Sequence, residues 1–329
     1  MIDQWGRKIN YMRVSVTDRC NLRCVYCMPL QGVTLGPHHE YLTYEELTRV
    51  IKAAVELGID RIRVTGGEPL VRKDIVKFLA QLKPLGVKDL SLSTNGLLFP
   101  KMAKDLKAAG VDRLNISLDT LRPDRFTKIA RMPGSPADVL AAVDAALELG
   151  MEPVKLNMVV IRGWNDDELA DMARLTLDKP IHMRYIEVMP FSEAYTFTWE
   201  NLVSAAEMRE RLLDEFGDLE PVREGVKGNG PAKYWRLPGA KGTVGFISAV
   251  TECFCADCNR IRLSADGKIN PCLGHVHEVD LKSIIRDPSR TDEDLKNALA
   301  DAILRKPREH NFDDLESDYK LRVMHGIGG

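Results

Sequence analysis

The sequence predicts an α/β fold, an incomplete TIM-like βα barrel of six units over residues 1–190 followed by a smaller C-terminal domain over residues 191–329. Three observations lead there. Short runs rich in Val, Ile and Leu alternate with helical patterns from residue 11 to about residue 190. The segments ELGIDRI at 56, PLGVKDL at 84, AAGVDRL at 108 and ELGMEPV at 148 each place a glycine helix stop just before a new strand. Six units fall short of the eight in a closed barrel, and no G-x-G-x-x-G follows any strand, as a dinucleotide-binding sheet would need.

The strands are expected at Tyr11–Val16, Arg61–Thr65, Leu90–Ser93, Arg113–Leu118, Val154–Ile161 and Ile181–Glu187. They read as apolar on both faces, as buried parallel strands are. The first helix is bounded clearly. Thr43 and Glu46 have the capping-box spacing, Leu47, Val50, Ile51, Ala54 and Val55 form one stripe, and Gly58 closes it. Past residue 190 a helix is expected near Glu207–Phe216, then a Gly-, Pro- and Lys-rich loop over Glu224–Lys233. Strand-like pieces at Tyr234–Leu237 and Val244–Ile247 follow, then a helix at Asp292–Leu304 and a polar tail ending Gly326-Ile327-Gly328-Gly329. Active groups are expected at the carboxyl ends of the strands, where the first cysteine group and Gly66-Gly67-Glu68-Pro69 fall.

Composition narrows the partners. The 329 residues are 44% hydrophobic and 29% charged, with 46 basic against 48 acidic side chains. A net charge of −2 gives no footprint for nucleic acid or an anionic membrane. No apolar run approaches the ~18 residues of a membrane span, and the first residues lack the apolar stretch of a signal peptide. The expectation is a cytoplasmic globular protein.

Seven cysteines stand out. An odd, clustered set in a cytosolic chain points to metal rather than disulfides. Cys20, Cys24 and Cys27 form C-x3-C-x2-C; Cys255, Cys258 and Cys272 form C-x2-C-x13-C. Cys253 is left over and reads as a small packed apolar residue. Structural zinc wants four ligands, whereas three thiolates suit a [4Fe–4S] cluster with one open iron. The second group, with His275 three residues beyond Cys272, is also an acceptable Cys3His zinc site. On spacing alone, iron–sulfur and zinc both stand.

Cys20-x3-Cys24-x2-Cys27, with Tyr26 before the last cysteine, resembles the signature of the radical S-adenosylmethionine (SAM) superfamily. Gly66-Gly67-Glu68-Pro69 is similar to that superfamily's methionine-binding segment. The stretch FCADCNRIRLSADGKINPCL and the terminal Gly-Gly narrow the resemblance to the GTP 3′,8-cyclase family of molybdenum cofactor biosynthesis, from about Tyr11 to Gly329. That resemblance implies two [4Fe–4S] clusters, one on each cysteine triad, with SAM bound at the first. It implies reductive SAM cleavage, removal of the 3′ hydrogen of GTP and attack of C3′ on C8 of the guanine.

The resemblance also implies roles for particular residues. Tyr26, Gly67, Glu68, Ser117 and Met189 match SAM-binding positions. Arg13, Arg63, Ser93, Lys155, Arg260 and Arg262 match positions that bind GTP, and Gly328 and Gly329 match a tail that supports the reaction. GTP brings about four negative charges, so a local basic patch must exist in a chain without net positive charge. Arg260 and Arg262 face one side if their segment is extended. The implied partners are a flavodoxin-type electron donor, a downstream cyclic pyranopterin monophosphate synthase and a second copy of the chain. The alternatives are a radical SAM enzyme with an auxiliary cluster acting on peptide or RNA, and a zinc-containing nucleic-acid binding protein, which the charge disfavours.

Overall fold

The computed structural model describes residues 1–329 except 30, 33–35, 190–198, 223–225, 227, 229, 276 and 311–329. Six parallel strands run in chain order: β1 (Tyr11–Ser15), β2 (Arg61–Thr65), β3 (Asp89–Thr94), β4 (Arg113–Ser117), β5 (Val154–Val160) and β6 (His182–Glu187). Each is followed by helix: α1 (Tyr44–Glu56), α2 (Ile75–Ala80), α3 (Phe99–Ala108), α4 (Pro123–Ala130) with α5 (Pro136–Glu148), α6 (Leu169–Asp178) and α7 (Ala205–Phe216). The start of α1 is as the sequence expects. The Thr43 hydroxyl accepts from the Glu46 amide, the Glu46 carboxylate accepts from the Thr43 amide, and Gly58 takes φ +86° past the end.

The remaining strands are β7 (Glu220–Val222), β8 (Lys233–Arg236), β9 (Thr243–Ile247), β10 (Arg260–Leu263), β11 (Lys268–Asn270) and β12 (Val279–Asp280), with α8 (Leu281–Arg286) and α9 (Asp292–Leu304) closing the described chain. They do not build a separate sheet. β9 adds in parallel to β6 and β10 adds in parallel to β1, so eight strands run one way and antiparallel pieces finish both edges. One core cluster takes in residues from Ile9 to Ile303. The segment Ser248–Asn259, which carries Cys253, Cys255 and Cys258, passes from one parallel edge to the other.

The strand faces differ from the expectation of apolar residues on both sides. Met12, Val14, Ile62, Val64, Leu92, Leu114, Leu156, Met183 and Tyr185 are fully buried and face the helical layer. The alternate positions are polar: Arg13, Arg63, Ser93, Ser117, Asn157 and Arg184 line one cavity of about 330 Å³. That cavity also takes Ile247 of β9 and Arg260 of β10, so inward residues from all eight parallel strands converge on it. Only a curled sheet brings its two edges and its middle to one space. The apolar core therefore lies between sheet and helices, and the concave face is left for chemistry. Among the described residues no helix is long and apolar enough to cross a membrane.

Candidate active site

Both cysteine triads open into this cavity: Cys20, Cys24 and Cys27 from the loop after β1, and Cys255, Cys258 and Cys272 from the loops flanking β10 and β11. The first loop is held by its neighbours. Arg23 and Val25 donate backbone bonds to the carbonyls of Ala130 and Ile129 at 2.9 and 3.0 Å, tying the loop to the end of α4. Arg131 donates from its guanidinium to the carbonyls of Arg23, Cys24 and Met28. Within the loop the Cys27 and Met28 amides donate to the Cys24 carbonyl at 2.9 and 3.0 Å, a turn that places the second and third cysteines side by side.

Gly66 and Gly67 pack against the strand end that leads into this loop. The Gly67 amide donates to the Thr17 carbonyl at 2.6 Å. A Cβ at Gly67 would collide with the Arg19 carbonyl oxygen and come 2.6 Å from that of Asp18. The missing side chain thus serves the cysteine loop itself. Glu68 is 1% exposed and braces two strand ends, accepting from the Leu70 amide at 3.1 Å, the Thr94 hydroxyl at 2.9 Å and the Asn95 amide at 2.7 Å. Burial pushes its carboxyl up to about 7, against those bonds. Tyr26 donates to Asp119 at 2.8 Å, and the Val159 amide donates to the other Asp119 oxygen at 2.9 Å. Ser117 and Met189 line the same end.

The opposite wall is cationic. Arg13 on β1 sits in register between Arg63 on β2 and Arg262 on β10, while Arg260 pairs in register with Tyr11. Arg63 lies over the Tyr11 ring at 5.4 Å and bonds Ser91 at 3.3 Å. Burial brings the Arg63 and Arg262 guanidiniums down to about 10, with the neighbouring cations Arg184 and Arg260 adding to the fall. Lys155 is the one GTP candidate that does not line the cavity. It lies two residues before Asn157 on the same face of β5, beneath Arg184, where burial and then Arg184, Arg113 and Arg63 bring its amine down to about 6. Gly328 and Gly329 lie outside the described residues.

Several lining residues escaped sequence reasoning. Arg184 shares the inward parity of β6 with His182, a polar alternation visible in HMRYIE. Glu187, 1% exposed, accepts from the Ala205, Val250 and Thr251 amides at 2.8, 2.9 and 2.9 Å and so ties Ser248–Asn259 to the end of β6. Asn95, Asp119 and Lys306 carry no local sequence signal; Lys306 donates to the Arg260 carbonyl at 2.9 Å. His275 does not line the cavity, and a ring nitrogen meets the Glu309 carbonyl at 2.9 Å. Cys253, expected to be packed as an apolar residue, is exposed, because the turn that carries the second triad holds it at the surface.

The residues fit thiolate-ligated clusters. Each triad offers three sulfurs, and no described cysteine forms a disulfide. Burial pushes Cys20 up to about 11, whereas at Cys258 the same burial is outweighed by Arg260 and Lys306, which bring the thiol down to about 6. Residues 14–176 match the Radical SAM superfamily, and residues 181–312 match Molybdenum Cofactor Synthesis C. A protein of Desulforamulus reducens named GTP 3′,8-cyclase is 51% identical over the whole of both chains. The chain belongs to the GTP 3′,8-cyclase family. A second family member, from Heliobacterium modesticaldum, is 49% identical, again over the whole of both chains. In fold, this GTP 3′,8-cyclase family chain is similar to Streptococcus suis SuiB, solved bound to S-adenosylmethionine, with a TM-score of 0.62 at 13% identity over 97% of this chain and 77% of that one.

Proposed function

We propose that this chain converts GTP into 3′,8-cyclo-7,8-dihydro-GTP, the first step of molybdenum cofactor biosynthesis. One observation carries the reading: two cysteine triads and a row of buried and half-buried arginines share a single 330 Å³ cavity. Cys20, Cys24 and Cys27 would hold a [4Fe–4S] cluster and SAM, which supply one-electron chemistry that generates a hydrogen-abstracting radical. Cys255, Cys258 and Cys272 would hold a second cluster, whose open iron offers a grip on the guanine edge.

The chain's own residues do the positioning. Tyr26, Gly67, Glu68, Ser117 and Met189 shape the SAM end, with the Tyr26–Asp119 bond fixing the ring. Arg13, Arg63, Arg260 and Arg262, with Ser93 beside them and Lys155 beneath, would hold the triphosphate, whose charge offsets the repulsion among them. The cavity's apolar and backbone surfaces exclude water from the reacting sugar. We read the curled sheet as a partial βα barrel, and the 190/191 boundary as a division of task more than of packing, since β9 and β10 complete the first part's sheet. Gly328 and Gly329 belong to the proposal as the tail that supports the reaction. So do a flavodoxin-type electron donor, a downstream cyclic pyranopterin monophosphate synthase and a homodimer, all on family resemblance.

The test divides the two triads. Cys24→Ala should abolish reductive SAM cleavage, while Cys258→Ala should keep uncoupled cleavage and make no cyclised nucleotide, both read by chromatography of anaerobic reactions. Near wild-type cyclisation by Cys258→Ala would overturn the assignment of the second triad.

A further inference from the structure

Cys253 is used by neither triad, yet its sulfur, that of Cys255 and a ring nitrogen of His310 all lie within 4.8 Å of one another. We propose that Cys253, Cys255 and His310 form a zinc site that shares Cys255 with the second triad, so that Zn²⁺ and the second [4Fe–4S] cluster compete for one thiolate. Two thiolates and an imidazole are a zinc donor set, and they leave a fourth tetrahedral position for water. Ligand atoms in such a site are roughly 3.6–3.8 Å apart, given Zn–S near 2.3 Å and Zn–N near 2.0 Å. The three groups need to close by only about 1 Å to reach it.

The juxtaposition is built by the far end of the chain. Arg7, locked by a 2.6 Å ion pair to buried Asp3, donates one guanidinium nitrogen to both the Cys255 carbonyl and the Arg308 carbonyl at 2.9 Å. Its other terminal nitrogen donates to the Pro307 carbonyl at 2.6 Å, and Trp5 donates to the Lys306 carbonyl at 3.0 Å. The chain leading to His310 is thus clipped to the cysteine turn. The His310 backbone amide completes the link with a hydrogen bond to the Cys255 thiol. On the other side, the Ser248 hydroxyl donates to the Glu252 carbonyl at 3.2 Å, and Lys233 pairs with Glu252 at 2.9 Å, which fixes the approach to Cys253. Cys255 therefore belongs to two ligand sets, one with Cys258 and Cys272 and one with His310, which also lines the cavity, and Cys253, which is exposed.

The competition rests on the second triad holding a cluster; the zinc site does not. Full-length protein stripped of iron and sulfide is titrated with zinc chloride against a chromophoric chelator, with circular dichroism to confirm that each variant is folded. In a background with Cys20, Cys24 and Cys27 changed to Ala, so that the first triad takes no zinc, one zinc per chain is expected, and the titrated variants are made in that background. Cys253→Ser and His310→Ala should each weaken it at least tenfold, Cys255→Ser should abolish it, and Cys258→Ser and Cys272→Ser should leave it within twofold. Loss in the last two variants equal to that in Cys253→Ser would place zinc in the triad and overturn the site, as would unchanged binding in Cys253→Ser and His310→Ala. In a second arm, with the first triad intact, iron and sulfide are added with one equivalent of zinc. Bound iron should fall from about eight toward about four per chain in wild type and stay near eight in Cys253→Ser, as two [4Fe–4S] clusters require. Only about four irons without zinc would instead sink the second-cluster reading and with it the competition, while the titration alone still decides the zinc site.

Discussion

Replacing Arg63 by Met separates what the cationic wall costs from what it does. Methionine keeps much of the stem's volume and removes the charge. The fall of the Arg63 pKa from 12.5 to about 10, driven first by burial and then by Arg184 and Arg113, corresponds to about 3 kcal/mol that the empty protein bears to keep the guanidinium charged. Against this, the variant loses the 3.3 Å bond to Ser91, about 1 kcal/mol, and the contact over the Tyr11 ring, about 0.5–1 kcal/mol. The net expectation is an empty protein about 1–2 kcal/mol more stable, or a melting temperature about 2–4 °C higher. GTP affinity should fall in the same variant by roughly ten- to a hundredfold, the worth of a charge-assisted phosphate contact of about 1.5–3 kcal/mol. Anaerobic calorimetric melting without nucleotide, with GTP and SAM titrations beside it, reads both effects. A variant that is less stable and binds GTP as the wild type does would refute the view that this arginine is held in strain for a polyanion.

Other outcomes follow from the same wall and loop. Lys155 titrates near 6 in the empty protein, so above that pH it is mostly neutral, and an arriving triphosphate raises its pKa and draws in a proton. GTP affinity should therefore fall as pH rises from about 6, with proton uptake seen by titration calorimetry in two buffers; Lys155→Met should flatten the profile, and an unchanged slope would remove Lys155 from the phosphate environment. Gly67→Ala should displace the first cysteine loop through the Arg19 carbonyl, taking bound iron from about eight toward about four per chain with SAM cleavage lost. Full iron content in that variant would show that the loop yields.

What was legible in the sequence follows from how local each signal is. The Thr43–Glu46 capping box, the glycine stops and the cysteine spacings are encoded within a few residues, and the structure shows the helix, strands and loops they announce. The orientation of the strand faces is not local. Arg13, Arg63, Lys155 and Arg184 alternate with apolar neighbours, but strands this short read equally as buried on both sides until the helical layer claims one of them. β10 was hidden for a related reason, since its partner, β1, lies some 250 residues away and its four residues are half arginine. Asp119 and Glu187 escaped entirely, because a buried carboxylate is defined by the donors around it, and here those come from β5 and from Ser248–Asn259.

The strands β9 and β10 belong to opposite edges, and no ladder joins them. The aperture of the curled sheet is therefore set by a tether of chain and not by strand pairing. That tether carries three cysteines, is fastened at one end by Glu187, and is clasped near its middle by Arg7 from the first turn of the polypeptide. A metal that gathered Cys255 and Cys258 would shorten the tether like a drawstring, and one that drew Cys255 toward Cys253 would slacken it. On that proposed ligation, metallation of this loop and the spacing of β9 and β10 would be one mechanical variable, governed by residues of Ser248–Asn259 together with Glu187 and Arg7.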